Sequence, residues 1–157
     1  MIKLKKVIAI ISIVLFSVDQ IIKTLAFNYL TNIKIVPGFL SLIYAKNEGV
    51  AFSLLSGNRI FIIMLSLILI FALIYILYKD HLSKNDNSLL TSVSYGLLFG
   101  GIFGNLFDRV LRGYVIDYIA INIFGHSLPI FNLADIGITI GVILMFIDVI
   151  FDKEKNK

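Results

Sequence analysis

Asp117 and Asp135 are each embedded in apolar sequence, one behind Tyr114-Val115-Ile116 and the other behind Leu133-Ala134, with no basic neighbour in sequence to pair with. If the two carboxyl groups converge, mutual repulsion and partial desolvation raise the pKa of one of them. One aspartate then holds a proton while the other stays ionised, the arrangement of an aspartic protease dyad. A proton relay in a transporter needs similar residues, and the spacing alone leaves both readings open. Other polar residues sit where they are expensive. Asn105, Asp108, Arg109 and Arg112, at offsets of 0, 3, 4 and 7, share one face of a helix. Asn132 and Asp135 are three apart at the head of another apolar run, and Asp19 and Lys23 are four apart inside a third. A charge at membrane depth costs at least about 2.5 kcal/mol, so each of these is a functional candidate. The bland alternatives are a buried ion pair for Asp19 and Lys23, and anchoring of a helix end at the interface for Asp108 and Arg109.

Other chemistries find less support. There is no cysteine, which removes disulfides, thiolate metal sites and a cysteine nucleophile. His81 and His126 have no second ligand at metal spacing, so neither metal nor cofactor is expected. A Ser-Lys dyad stays open as an alternative, although the serines are scattered without a nucleophile motif, and no phosphate-cradling Gly-rich loop is present. The net charge of +4 is not a nucleic-acid footprint, because the lysines cluster at the chain ends and at one polar break.

The elements that must position these residues follow from composition. The chain of 157 residues is 59% hydrophobic and 15% charged, against roughly 25% charged in a soluble domain. Too few charges remain to cover a water-facing surface. A bilayer core near 30 Å needs about 20 apolar residues of helix, and four segments qualify: 7–27, 60–78, 89–107 and 133–151. The expected fold is therefore an α-helical integral membrane protein, one domain over 1–157, with four transmembrane helices. The break at Lys79–Asn87 is short and polar, a plain connecting turn. The segments 28–59 and 108–132 are long, and loops of that length are uncommon unless functional. Ile33–Tyr44 is rich in β-formers, which predicts a small β-rich element after the first span. Both long segments follow odd-numbered spans and so share one side. The termini and the short turn carry eight lysines, which places them in the cytoplasm and the long segments outside. Three lysines before an apolar run also resemble a secretory signal, with Thr24-Leu25-Ala26 as a weak cleavage site, but the run continues to full spanning length. Gly96, Gly100 and Gly104, with Gly137 and Gly141, have the spacing that lets helices approach closely in lipid.

Four blocks together resemble lipoprotein signal peptidase (signal peptidase II), a family of bacterial membrane aspartic peptidases. They are Asp19-Gln20-Ile21-Ile22-Lys23; Asn47-Glu48-Gly49-Val50-Ala51-Phe52; Gly100 through Arg109, continuing in Gly113-Tyr114-Val115-Ile116-Asp117-Tyr118; and Phe131-Asn132-Leu133-Ala134-Asp135. They occur in family order from the first span to the fourth. The resemblance implies that Asp117 and Asp135 are the catalytic pair. It also implies that Asn105, Arg109 and Asn132 line the site, that Asn47 belongs to an outer loop covering the substrate, and that Asp19 and Lys23 support the site. Gly101 and Ala134 lie within the matching blocks and count among the supporting residues. For Arg109 a structural or phosphate-facing role is expected, because an arginine beside the dyad would tend to ionise both aspartates.

The implied partners are a lipidated prolipoprotein and membrane lipid, without nucleic acid, and the protein is expected to act as a monomer in the bacterial cell membrane. The implied reaction removes the signal peptide just before a diacylglyceryl-modified cysteine, at the outer face. Two rivals stand beside it: a small proton-coupled transporter relaying through Asp19, Lys23, Asp117 and Asp135, and a scaffold subunit that would tolerate their loss. Aspartates at the outer ends of spans, away from the midplane where transporter sites usually lie, favour the enzyme.

Overall fold

The protein is described by a computed structural model covering residues 2–49, 54–82 and 88–155. Its order is α1 (Ile2–Tyr29), β1 (Asn32–Val36), β2 (Leu40–Asn47), α2 (Arg59–Ile76), α3 (Leu89–Leu111), β3 (Val115–Ile123), β4 (His126–Ser127) and α4 (Leu133–Lys155). All four helices are long and apolar enough to cross a membrane. They differ in how much protein surrounds them. In α3, 72% of the apolar window is buried inside the molecule, against 17–22% in the others. So α3 is the central post, packed by α1, α2 and α4, while the outward faces of those three are free for lipid.

The expected element boundaries need correction at several ends. The third helix runs to Leu111, four residues beyond the predicted 107, which brings Asp108 and Arg109 into its last turns. The second does not stop in a plain turn but widens into a π-helical turn, Leu77–Leu82; residues 83–87 of the predicted connection lie outside the described residues. The β element is also larger than expected. Strands from both long segments join in one antiparallel order, β1-β2-β3-β4. Because β2 from the first connection pairs with β3 from the second, both connections lie at the same end of the bundle.

Close packing of α3 depends on its small residues. A Cβ on Gly101 would lie 2.5 Å from the Ala134 carbonyl oxygen and 2.7 Å from Ile138 of α4. A Cβ on Gly104 would lie 2.7 Å from the Asp19 carboxylate of α1. At the far end from the sheet, Leu4, Ile8, Ile70, Leu73, Tyr95, Leu98 and Phe99 close an apolar cluster of α1, α2 and α3. In lipid this packing rests on complementary shape, since lipid tails are as apolar as leucine. Gly101→Ala therefore pushes α3 from a backbone atom that cannot rotate away. Overpacking of this kind costs about 1–3 kcal/mol, and a lowered thermal unfolding midpoint in detergent is the expected result.

Candidate active site

The strand β3 aims Asp117 by simple alternation, since successive residues of a strand face opposite sides. Ile116 and Tyr118 turn towards Ala26 at the end of α1 and bury there. Val115 and Asp117 turn the other way, into a cavity of about 760 Å³. Asp135, Asn105, Arg109 and Asn47 line the same cavity. It reaches from the sheet down between α2 and α4, where Ser66 and Leu69 face Ile138 and Thr139. The two aspartates, eighteen residues apart in sequence, are brought together by Phe131. Its carbonyl accepts from the N–H groups of Tyr118 (3.0 Å) and Ile119 (2.8 Å), which pins the entry of α4 against β3.

The entry of α4 is built around Asn132 and Asp135. Asn132 Oδ1 accepts from the Asp135 N–H at 3.0 Å, and Asp135 Oδ2 accepts from the Asn132 N–H at 3.2 Å. This reciprocal pair is a capping box with amide and carboxylate as partners. The Leu133 N–H donates to the Tyr118 hydroxyl (3.1 Å) and the Ala134 N–H to Asp19 Oδ1 (3.1 Å). All four orphan N–H groups at the helix start thus have acceptors. Asn132 Nδ2 then donates to Asp117 Oδ1 at 2.6 Å, so one side chain touches both aspartates. Asn105 Nδ2 donates to Asp135 Oδ1 at 2.7 Å, and Asn47 Nδ2 to Asp117 Oδ2 at 2.9 Å.

Behind these amides lies a charge cluster. Lys23 is wholly buried, and its ammonium group meets Asp19 at 2.8 Å, Asp108 at 3.0 Å and Asn105 Oδ1 at 2.9 Å. Three N–H donors have three acceptors. Asp108 also pairs with Arg112 and accepts from the Ile116 N–H. Two cations and two carboxylates cancel, which is what permits the group to sit inside a membrane protein. Asp19 and Lys23 do form the expected ion pair, but the pair is part of a larger cluster that includes Asp108. Asp108 is therefore an internal tie between α1, α3 and β3, where the sequence suggested an anchor at the interface. Arg109 donates to the Gly49 carbonyl at 2.7 Å and to the Asn105 carbonyl, holding the end of β2 against α3. Ala134 is buried beside Gly101. Of the second matching block, Val50, Ala51 and Phe52 lie outside the described residues.

Asp117 is nearly inaccessible. Burial, reinforced by the charge of Asp135, raises it from 3.8 to about 6, against the opposing hydrogen bonds from Asn47 and Asn132. Tyr118 is likewise pushed up to about 12 by burial. Asn132 thus links the two carboxyls, donating to Asp117 through its side chain and to Asp135 through its backbone, and both carboxyls line the same cavity.

The sequence model of a family described as Signal peptidase (SPase) II matches residues 11–151. The chain belongs to the signal peptidase II family. It is similar to a lipoprotein signal peptidase of Staphylococcus aureus (strain MRSA252), 41% identical over 124 residues, which are 79% of this chain and 74% of that relative. A bacterial membrane enzyme solved in meso at 2.3 Å resolution superposes with a TM-score of 0.84 at 36% identity, over 96% of this chain and 91% of the other. A second such enzyme, at 1.9 Å, gives 0.78 at 36% identity, over 90% of this chain and 91% of the other. As a signal peptidase II this is a membrane-spanning protease of the aspartic class. The fold brings the expected Asn47, Asn105, Arg109, Asp117 and Asp135 to one cavity; the sequence reading missed the capping box, whose Asn-x-x-Asp signal was present at 132–135.

Two outcomes test the site's energetics. Lys23→Met leaves Asp19 and Asp108 buried beside only Arg112; breaking such a pair costs about 3–5 kcal/mol, so thermal unfolding in detergent should fall sharply. Asp117 keeps its proton in the folded protein to about pH 6 but in the unfolded chain only to 3.8. Its ionisation therefore opposes folding. None of this cost is felt below pH 3.8, and it grows to about 3 kcal/mol as pH rises through 6. Asp117→Asn should flatten the pH dependence of unfolding over that interval.

Proposed function

We propose that this signal peptidase II cuts prolipoprotein precursors just before a diacylglyceryl-modified cysteine, with Asp117 and Asp135 as the catalytic pair. The observation that carries the proposal is the convergence of the two carboxyls on one cavity, bridged by Asn132 and open between α2 and α4. The chain works as one membrane unit and as a monomer, with both termini in the cytoplasm and the sheet outside. The diacylglyceryl chains stay in the lipid beside α2 and α4, and the scissile bond enters the cavity at the level of β3.

Asp117 holds the shared proton, in keeping with its raised pKa. Asp135 takes a proton from a water molecule as that water's oxygen attacks the scissile carbonyl carbon. Asp117 donates its proton to the carbonyl oxygen, which would otherwise become an oxyanion. In the tetrahedral intermediate the proton on Asp135 passes to the leaving nitrogen, and the C–N bond breaks. Collapse returns the hydroxyl proton to Asp117, so the pair ends as it began. The lipidated cysteine leaves with a free amine, and the signal peptide leaves with a carboxylate. Asn105, Asn132 and Asn47 are positioning residues that fix the carboxyl planes. Arg109, Gly101, Ala134, Asp19 and Lys23 hold the helices and strands that carry them. Exclusion of bulk water strengthens each hydrogen bond to the developing charge.

Asp117→Asn and Asp135→Asn should each abolish cleavage of a diacylated precursor, read as a gel shift, while the variants still fold; full cleavage by either variant overturns the assignment. Because Asp117 must be protonated, kcat/KM should fall as pH rises through about 6. Asn47 donates to the Asp117 carboxylate and favours its ionised form. Asn47→Ala should therefore move that descending limb to higher pH, and an unmoved limb would assign the titration to another group.

A further inference from the structure

The far end of the sheet carries an apolar tip that nothing among the described residues covers. The hairpin register, Asn122 opposite Ser127 and Ile123 opposite His126, leaves Phe124-Gly125 as a two-residue turn. Phe124 is 98% exposed. Its neighbours in space are apolar and exposed as well. The Asn122 N–H donates to the Phe39 carbonyl at 2.8 Å, which sets the β1–β2 turn beside the β3–β4 turn, and Phe39, Ile123 and Leu128 all stand open.

The backbone makes Phe124 a costly choice. It has φ +50° and Gly125 has φ +83°, the paired positive values of a type I′ turn, whose first position favours Asn, Asp or Gly. A bulky residue in the left-handed region is an outlier that the chain's own packing does not repay, since this side chain touches almost none of the chain. Its reward must come from outside the polypeptide. The surroundings of the sheet suggest what supplies it. The near end of β2 and β3, at Asn47 and Val115, adjoins the cavity and the end of α3. From there the nine residues of β3 run roughly 30 Å at strand rise, well past the width of one helix. The apolar belt of the bundle continues towards the sheet through the exposed Phe27 and Tyr29 of α1 and Ile60 and Phe61 of α2. The sheet stands at that apolar rim, so lipid is the apolar phase next to its exposed tip.

We propose that the β3–β4 turn, with Phe124 at its apex and Phe39, Ile123 and Leu128 around it, inserts into the leaflet on the sheet side and anchors the sheet to the lipid surface. The occupant is the acyl region just below the headgroups. The anchor bears on the site because the return segment from Ser127 to Phe131 forms one wall of the cavity. Fixing the tip to the lipid fixes the height of that wall above the membrane. The inference holds whichever residues carry the reaction.

The chain contains no tryptophan, so Phe124→Trp is a single-tryptophan reporter in the full-length protein. In phosphatidylcholine–phosphatidylglycerol nanodiscs, its emission should be blue-shifted from that of free N-acetyltryptophanamide. It should lose most of its intensity when the phospholipids are brominated on their acyl chains. Blue-shifted emission without bromolipid quenching would mean burial against protein, and unshifted, unquenched emission would mean exposure to water; either overturns the proposal. A second reporter, Phe39→Trp, separates anchoring from folding. Adding Phe124→Asn, which suits the turn's backbone, should reduce the bromolipid quenching of Trp at position 39 while the thermal midpoint in detergent does not fall. Undiminished quenching in that double variant would remove Phe124 as the anchor.

Discussion

A helix that begins inside a membrane protein has four N–H groups to satisfy and no bulk water to satisfy them with. At the head of α4 the four acceptors are Asp135, the Tyr118 hydroxyl, Asp19 and Asn132. They come from α4 itself, from β3 and from α1. Meeting this one requirement therefore ties three separate parts of the chain to a single point. The positive end of the α4 dipole adds a reason for carboxylates to gather there. The site is thus assembled by the same bonds that let the helix start.

Charge balance is the second half of that arrangement. Asp19 caps α4 with one oxygen and meets Lys23 with the other. Lys23 in turn meets Asp108 and orients Asn105, whose amide nitrogen is left to donate to Asp135. Asn105 cannot reverse its amide, because its oxygen already accepts from both Lys23 and Asn132. A chain of fully committed donors fixes geometry but moves no protons, which sets Asp19 and Lys23 apart from a transporter's relay. Asp19, Lys23 and Asp108 are fully buried away from the cavity, which Asp117 and Asp135 line.

The packing of α3 makes this possible. Small residues on α3 let α1 and α4 approach closely enough for side chains to bridge them. By contrast α2 packs mainly on α3, leaving a gap towards α4 that becomes the cavity. Close contact on one side of the central helix is thus matched by an opening on the other.

Much of this was legible in the residues. Span length and apolar composition gave four helices, because hydrocarbon thickness acts on sequence directly. Polar residues in apolar runs marked Asp19, Lys23, Asn105, Asp117, Asn132 and Asp135, because such residues are retained in lipid only for a reason. The β-formers of Ile33–Tyr44 announced β1 and β2. The strand β3 was harder to see, since its run of Val115 to Ile123 is buried on both faces at its start and shows no alternation. What no sequence reading could supply was which polar groups meet. That Lys23 takes Asp108 as a second partner, that Asn132 ties Asp117 to the head of α4, and that Phe131 draws β3 to α4 are contacts between residues 12 to 85 apart in sequence. Local spacing fixes which face of an element a side chain occupies; only the packing of α1, α3 and α4 around their glycines decides what that face touches.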